Sequence, residues 1–432
     1  MPQAGSQPRR LLIVSPHYPP ADVVDMHRVR ASSRYYEDHG WSPTVLAVRP
    51  EDTGRLVDER LIEMASDRIP VVRTGAFPEK VARGLGFSAI GFRAYRQMRA
   101  AGDRLIRDWK PDLAFFSTTA FPLMTLGERW RRRFGLPYVL DMQDPWFAAP
   151  PDSLAQRRTN LKNRVMYALH NRLEARAMKR VGGLIAVSGL YLDALRDRYP
   201  ALADTPADVI PFGIEPDDFE VARRRGRPVD FEFDGSDAIG CVYAGRVTEG
   251  MYASVRALLS ALELGADQPQ TGRVRIGFLG TGYQLGGNPH CVAPLAEAMN
   301  LGRLVREIPD RVALLDSLST MATSDLLLVL GSDDLAYQPS KLFQCLATDL
   351  PIVCVARSGA NYLASLETMT SVFVLFSDQP LEPQVRRFES WLSTSARAAV
   401  KGDPIRSQQA FQRTAQAMAA RECAIFDRVL AR

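Results

Sequence analysis

The feature that most constrains the fold of this chain is the alternation of short apolar runs with longer amphipathic stretches. The alternation begins at Leu11–Ser15 and restarts, after a break, at Cys241–Ala244. Short apolar runs separated by helical patterns are typical of β-α-β crossovers, which build parallel sheets. With 432 residues, the chain is also too long for one ordinary core. We therefore predict an α/β protein with two doubly wound, Rossmann-like parallel-sheet domains that face each other across a cleft.

The domain boundaries are predicted from the break in this pattern. The alternation stops at Asp208, and a polar, charge-rich stretch runs from Asp217 to Asp237. We predict an N-terminal domain over residues 1–207, a connection over 208–238 and a C-terminal domain over 239–385. A helical region over 386–432 follows, and we expect it to cross back to the N-terminal domain.

Several classes of protein are excluded by what the sequence lacks. No run of about 18 apolar residues occurs, so we expect no membrane-spanning helix. The apolar run Leu11–Val14 is too short for the core of a signal peptide, and we expect a cytoplasmic protein. The five cysteines form no Cys-x-x-Cys pair and the five histidines show no ligand spacing, so we predict reduced thiols and no structural zinc.

Positive charge is concentrated in one segment. The formal charge of the chain is +5, but residues Lys80 to Arg180 contain 20 basic and 8 acidic residues, an excess of 12. Apolar residues lie among the basic ones on the predicted helix Ala89–Trp109, which suits peripheral contact with an anionic membrane. A solvated basic helix face is the alternative. We expect no nucleic-acid partner, because the aromatic residues do not alternate along strands as a stacking platform requires.

Polar side chains cluster after the first predicted strand, in a loop that a doubly wound sheet turns toward its ligand. His17 could polarise an acceptor hydroxyl, and Arg28 or Arg30 could contact phosphate or an anionic acceptor. Arg28 begins a helix predicted over Arg28–Gly40. An arginine at a helix start is disfavoured by the helix dipole, so we expect a compensating charge nearby. Surface polar residues are the plainer interpretation. The candidate residues on this side are Ser15, His17, Asp25, Arg28 and Arg30, with Asp144 after a later strand, and His17 and Asp144 are the catalytic candidates.

The second half carries candidates for binding a diphosphate. Its first strand ends at Gly245 and Arg246, where the backbone can approach a ligand and a guanidinium can hold a pyrophosphate bidentately. Lys341 begins a predicted helix, and a helix N-terminus favours an anion. The alternative is that both are solvated cations. The glycines Gly280 and Gly282 follow the next strand, either as a loop lining the cleft or as a plain turn.

Four segments resemble one known family when their order and spacing are considered together. They are Leu12–Pro20 with Met26–Arg30, Lys110–Ala114 with Gly135–Trp146, Val209–Pro216, and Val242–Arg246 with Pro339–Ala347. They resemble the GT-B fold nucleotide-sugar glycosyltransferases, specifically the large retaining group-1 family, also called family 4. The resemblance implies transfer of a sugar from a UDP- or GDP-sugar to an unidentified glycan, lipid-linked or small-molecule acceptor, with retention and without a metal or other cofactor. The implied donor-binding residues are Gly245, Arg246, Gly280, Gly282, Ser340, Lys341, Leu342 and Gln344.

The chain departs from the family pattern at three positions. Met251 stands where the family usually has a second diphosphate-binding lysine, and Ala336 and Gln344 stand where it commonly has two glutamates. An amide at Gln344 can still bond to ribose hydroxyls, but without charge. Two alternatives therefore stay open: a GT-B sugar-nucleotide epimerase or hydrolase, and a non-catalytic subunit that binds nucleotide sugars.

Overall fold

The computed structural model describes residues 7–84, 87–146, 161–235, 237–282, 286–335, 337, 339, 341–360, 362–394 and 403–432. The chain forms two compact units. The first comprises residues 1–215 and 414–432, and the second comprises residues 216–413. The helical region predicted from residue 386 is thus divided between the units: Pro404–Gln412 belongs to the second and Ala415–Leu430 to the first.

A seven-stranded parallel sheet forms the first unit. Its strands are β1 (Arg9–Val14), β2 (Trp41–Val48), β3 (Val71–Thr74), β4 (Leu113–Ser117), β5 (Tyr138–Met142), β6 (Gly183–Ala186) and β7 (Ala207–Val209). The strand order is β3-β2-β1-β4-β5-β6-β7, so the direction of winding reverses between β1 and β4. Such a switch point is where doubly wound sheets bind their ligands.

The α-helices of the first unit are His27–Ser32, Pro50–Thr53, Glu79–Gly84, Ile90–Arg93, Tyr95–Asp108, Thr125–Phe134, Leu161–Met178, Gly189–Arg198 and Ala415–Leu430. Single 3-10 segments lie at Val24–Met26, Ser33–Tyr35, Glu37–His39, Glu59–Met64, Phe121–Met124 and Pro200–Leu202. The C-terminal helix Ala415–Leu430 packs on one face of the sheet, where the ring of Phe426 contacts those of Tyr36, Trp41 and Phe115 at centroid distances of 5.8, 5.5 and 5.0 Å.

The second unit contains a six-stranded parallel sheet. Its strands are β8 (Ile239–Ala244), β9 (Val274–Leu279), β10 (Val305–Ile308), β11 (Leu326–Leu330), β12 (Ile352–Ala356) and β13 (Val372–Phe376), in the order β10-β9-β8-β11-β12-β13. The switch point lies between β8 and β11. The helices are Asp217–Arg225, Tyr252–Leu264, Ala293–Ala298, Leu314–Thr323, Lys341–Leu346, Leu363–Leu366, Leu381–Ser393 and Pro404–Gln412, with 3-10 turns at Glu249–Met251, Thr271–Arg273 and Gly302–Leu304.

Continuous apolar runs form the central strands because helices cover both faces of each sheet. Leu11 to Val14 of β1 and Leu326 to Leu330 of β11 are buried along their whole length. This pattern is what the sequence predicted, and two parallel, doubly wound sheets are confirmed.

Two predicted helices differ from the structure. The helix predicted from Arg28 to Gly40 ends at Ser32, because the hydroxyls of Ser32 and Ser33 bond to the carbonyls of Arg28 and Val29 and compete with the regular helical ladder. The helix predicted over Ala89–Trp109 is interrupted at Ala94. Within the described part of the chain, no helix is apolar and long enough to span a membrane.

Candidate functional site

The loops at the switch point of the first sheet bring together residues that follow two different strands. His17 lies three residues after the end of β1, and Thr118 and Thr119 directly follow β4. Asp25 lies in the short 3-10 turn between β1 and the first helix. All four meet at the carboxyl edge of the parallel sheet.

His17 and Asp25 form a buried pair. The distance between His17 Nδ1 and Asp25 Oδ1 is 2.8 Å, and the two residues are 3% and 2% exposed. The other oxygen of Asp25 accepts hydrogen bonds from the Thr118 hydroxyl at 3.0 Å and from the Thr119 backbone N–H at 3.2 Å. Burial would raise the pKa of Asp25, but the His17 imidazole and these hydrogen bonds outweigh it and lower that pKa.

An ionised Asp25 fixes the tautomer of His17. A carboxylate without a proton can only accept, so the hydrogen of the neutral imidazole lies on Nδ1. His17 Nε2 is then an acceptor, and it is buried without a hydrogen-bond partner among the described residues. A buried nitrogen of this kind is suited to a hydroxyl donor from a ligand.

Asp144, after β5, has the opposite electrostatic environment. The surrounding protein partly desolvates its carboxyl and the charge of Asp25 acts in the same direction, so the pKa of Asp144 is raised, although the residue as a whole is exposed to solvent. Two carboxyl groups of one site thus have pKa values displaced in opposite directions. Such a difference favours an ionised Asp25 and a more readily protonated Asp144.

The remaining first-half candidates form ion pairs and hydrogen bonds inside the protein. Arg28 is fully buried, with its Nε 2.7 Å from Asp141 Oδ2 and its Nη1 3.1 Å from Glu422 Oε1. These carboxylates supply the compensating charge that was expected for Arg28. Arg30 is 3% exposed and donates to the Met64 carbonyl, and the Ser15 hydroxyl donates to the His17 carbonyl. Their placement favours structural roles over the predicted contacts with phosphate or acceptor.

At the switch point of the second sheet, the predicted diphosphate residues lie side by side. A Cβ atom built on Gly245, directly after β8, would lie 3.5 Å from Cγ and 3.6 Å from Cε of Lys341. The aliphatic stem of Lys341 therefore runs along the Gly245 backbone. Arg246 is the next residue and is exposed. One edge of the second sheet thus carries two neighbouring cationic residues.

The glycine loop after β9 is held against this edge. Gly280 has a left-handed φ of +68°, and a Cβ on Gly282 would lie 2.3 Å from Asn288 Cγ, so only glycine fits the latter position. The hydroxyl of Thr281, between them, donates to Glu307 at 2.5 Å, and its carbonyl accepts from the Val247 N–H at 3.1 Å. The loop after β9 and the loop after β8 are therefore linked.

Comparison with known proteins places this geometry in a family. Residues 27–218 match the model of Glycosyltransferase Family 4. The matched segment, somewhat less than half of the chain, is similar to glycosyltransferase family 4. No curated protein sequence matches it.

Solved structures with the same fold are distant in sequence. The chain is 14% identical to sucrose-phosphate synthase from Thermosynechococcus elongatus, over 98% of this chain and 99% of that one, with a TM-score of 0.58. Anabaena HepE in complex with UDP and glucose is 14% identical over 97% and 99%, with a TM-score of 0.57. A putative UDP-N-acetylglucosamine 2-epimerase from Listeria monocytogenes is 12% identical over 97% and 95%, with a TM-score of 0.51. At these identities the likeness concerns the fold alone.

The family match confirms the predicted GT-B fold and a retaining nucleotide-sugar glycosyltransferase. The fold itself is shared with the putative 2-epimerase, so it does not separate the alternatives. The family match separates these alternatives, because it favours sugar transfer over the epimerase, hydrolase and non-catalytic interpretations. The acceptor is not identified by it.

The departures from the family pattern have structural counterparts in this glycosyltransferase. Met251 is 4% exposed, and its sulfur lies 3.8 Å from the Tyr243 hydroxyl in the core of the second unit. Gln344 has a buried Oε1 without a partner among the described residues, which suits a ligand hydroxyl. Leu342 is buried and contributes packing. The positions of Ser340 and Ala336 lie outside the described residues.

Sequence reasoning missed four residues that support these sites. Thr118 and Thr119 could have been found, because polar residues directly after a strand are a sign of a ligand edge. Glu307 and Arg406 gave no local signal. Arg406 is 3% exposed and donates to the carbonyls of Cys345, Leu346 and Thr348, at 2.9, 3.2 and 2.6 Å. It thereby satisfies the open carbonyls at the end of the helix that Lys341 begins.

Proposed function

We propose that this enzyme transfers the sugar of a UDP-sugar to an acceptor hydroxyl, and that Arg246 and Lys341 hold the diphosphate of the donor. The observation that carries the proposal is the packing of the Lys341 stem along Gly245, beside Arg246, at the switch point of the second sheet. The UDP complex of HepE supports UDP as the nucleotide. A GDP-sugar is the alternative.

The two cations match the main electrostatic task of the reaction. Negative charge develops on the diphosphate as the bond to the sugar breaks, and fixed positive groups stabilise that charge. Arg246 can bind two phosphate oxygens at once, and Lys341 adds a charge at a helix start. We propose that these groups allow transfer without a metal. Gln344 would bond to the ribose hydroxyls, and the loop of Gly280 and Gly282 would line the donor site.

His17 is proposed to act on the acceptor side. Its Nε2 would accept a hydrogen bond from the incoming hydroxyl, while Asp25 keeps the imidazole in the tautomer that makes this possible. In retaining transfer of this kind, the leaving phosphate assists the hydroxyl on the same face of the sugar, so His17 orients the acceptor and shares its proton. Asp144 would donate a hydrogen bond to the acceptor when protonated, which its raised pKa favours.

Contact with a membrane surface through the basic segment stays a prediction. Part of the positive charge is used internally: Arg93 donates to three backbone carbonyls, Arg129 pairs with Asp103, and Arg176 pairs with Glu128. Flotation with vesicles containing phosphatidylglycerol tests the remaining charge. Binding that disappears between low and high salt supports peripheral association, and no binding at low salt rejects it.

A thermal-shift screen with UDP-, GDP- and other nucleotide sugars tests the proposed donor. A ligand that binds only the folded protein stabilises it by about 2.7 kcal/mol at 100 times its Kd. We expect UDP-sugars to raise the Tm with EDTA present. A rise with GDP-sugars alone would replace UDP by GDP, and no rise with any nucleotide sugar would contradict the proposal.

A further inference from the structure

A continuous series of buried polar contacts joins the C-terminal helix to the loop of His17. It starts at Glu422, in the helix Ala415–Leu430, and runs through Arg28, Asp141 and Gln143 to Asp25. We call these five residues the buried network. None of them is more than 4% exposed. Glu422 and Arg28 are 394 positions apart in the sequence.

Arg28 is held in place from several sides. Its Nη1 bonds to Glu422 Oε1 at 3.1 Å, its Nη2 donates to the Ile210 carbonyl at 2.6 Å, and its Nε lies 2.7 Å from Asp141 Oδ2. The second oxygen of Glu422 accepts from the Tyr36 hydroxyl at 2.7 Å. The orientation of the Arg28 guanidinium therefore depends on the C-terminal helix.

From Arg28, two paths lead to Asp25. Asp141 Oδ2 accepts from Gln143 Nε2 at 3.0 Å, and the same amide donates to the Asp25 carbonyl at 3.2 Å. Arg28 also lies only three positions after Asp25, so its anchoring fixes the turn that carries Asp25. The Asp25 carboxylate in turn bonds to His17 at 2.8 Å. A displacement at Glu422 would thus reach the imidazole through groups that are buried and in polar contact with one another.

We propose that Glu422 is a positioning residue for the His17–Asp25 pair and acts through the rest of the buried network. The proposal rests on the function assigned to His17 above. It makes the C-terminal helix a support for the acceptor side of the enzyme, through contacts inside the first unit. Glu422 sets the geometry in which His17 Nε2 meets a hydroxyl.

The test uses the full-length protein with 15N-labelled histidine, in which the five imidazoles give few signals. The His17 signals are assigned with H17N. In the wild type we expect the Nδ1–H tautomer. The variants E422Q and Q143L interrupt the buried network at opposite ends, with little change in side-chain volume. Both should move or broaden the His17 signals, while the affinity for UDP stays within about twofold because the second unit is untouched.

The matched control is D427N on the same helix. Asp427 pairs with Arg9 at 2.8 Å and accepts from Trp41 Nε1 at 3.0 Å, at the starts of β1 and β2 and so at the opposite edge of the sheet. Asp427 anchors the helix to the sheet of the first unit without joining the buried network. D427N should leave the His17 signals as in the wild type, even where it lowers the Tm.

Unchanged His17 signals in E422Q, or the same change in D427N, would overturn the positioning role. Once a transfer assay is available, E422Q should lower kcat by about tenfold without raising the KM for the donor. If the His17 signals respond as expected but H17N transfers sugar at the wild-type rate, the coupling stands and the function assigned to His17 is the part that fails.

Discussion

Replacing Arg28 with methionine should destabilise the first unit by about 3–5 kcal/mol. The change removes the guanidinium between Asp141 and Glu422 and leaves both carboxyl groups inside the protein. Methionine fills much of the same space, so the effect is electrostatic rather than a cavity. Burial would lower the pKa of Arg28, yet the two carboxylates more than offset it and raise that pKa, which shows how strongly they hold the charged guanidinium.

The magnitude follows from which carboxyl can lose its charge. Removing one partner of a buried ion pair costs about 3–5 kcal/mol, because the other charge remains without compensation. Burial already raises the pKa of Glu422 against the opposing effect of Arg28, so Glu422 can take up a proton in R28M. The loss then comes mainly from Asp141. The double variant R28M/D141N should therefore recover about 1–3 kcal/mol of the loss, as expected for coupled neighbours, whereas R28M/E422Q should recover little.

Urea unfolding followed by tryptophan fluorescence measures this loss. Four of the five tryptophans, Trp41, Trp109, Trp130 and Trp146, lie in the first unit, so a W391F background restricts the signal to that unit. A loss below about 1 kcal/mol in R28M, with unchanged slope, would refute the view that Arg28 compensates buried charge.

Three further predictions concern single side chains. Because the pKa of Glu422 is raised in the folded protein, its contribution to stability is full below the unfolded pKa of about 4.3 and is lost as pH rises through the folded pKa. E422Q should therefore be at least as stable as wild type at pH 7–8. Urea titrations should also show a weaker pH dependence of its stability. D25N should lower kcat for transfer by about 10²–10⁴-fold if His17 needs its carboxylate, and a rate within twofold of wild type would count against that role. G282A should weaken UDP binding by calorimetry, because its methyl group would collide with Asn288, and equal affinity would show that the glycine loop is not part of the donor site.

The central strands could be predicted from the sequence because each is a local pattern. Leu11 to Val14 is an apolar run bounded by polar residues, and burial on both faces requires such a run. The placement of Gly245 and Lys341 could also be predicted, since the carboxyl ends of parallel strands and the starts of the following helices meet at one edge. Order within the sheets, by contrast, depends on pairings that no single segment encodes.

The role of Arg28 shows where such reasoning ends. An arginine at a helix start beside a ligand loop resembles a phosphate-binding residue, and the helix dipole indicated only that some compensating charge was needed. Its partner Glu422 lies 394 positions away, in a helix whose local sequence gives no sign of a buried carboxylate. Burial and pairing of charges depend on tertiary contacts, and these decide whether a cation faces a ligand or the core.

The measurement that tests the account most directly is calorimetric titration of UDP into the wild type, R246A, K341A and a control, R256A. Arg256 is an exposed cation of the same unit, on the helix Tyr252–Leu264. Loss of a charged hydrogen bond costs about 1.5–3 kcal/mol, so R246A and K341A should each bind UDP about 10- to 150-fold more weakly, with R256A within twofold of wild type. Wild-type affinity in both R246A and K341A would contradict the donor site described above.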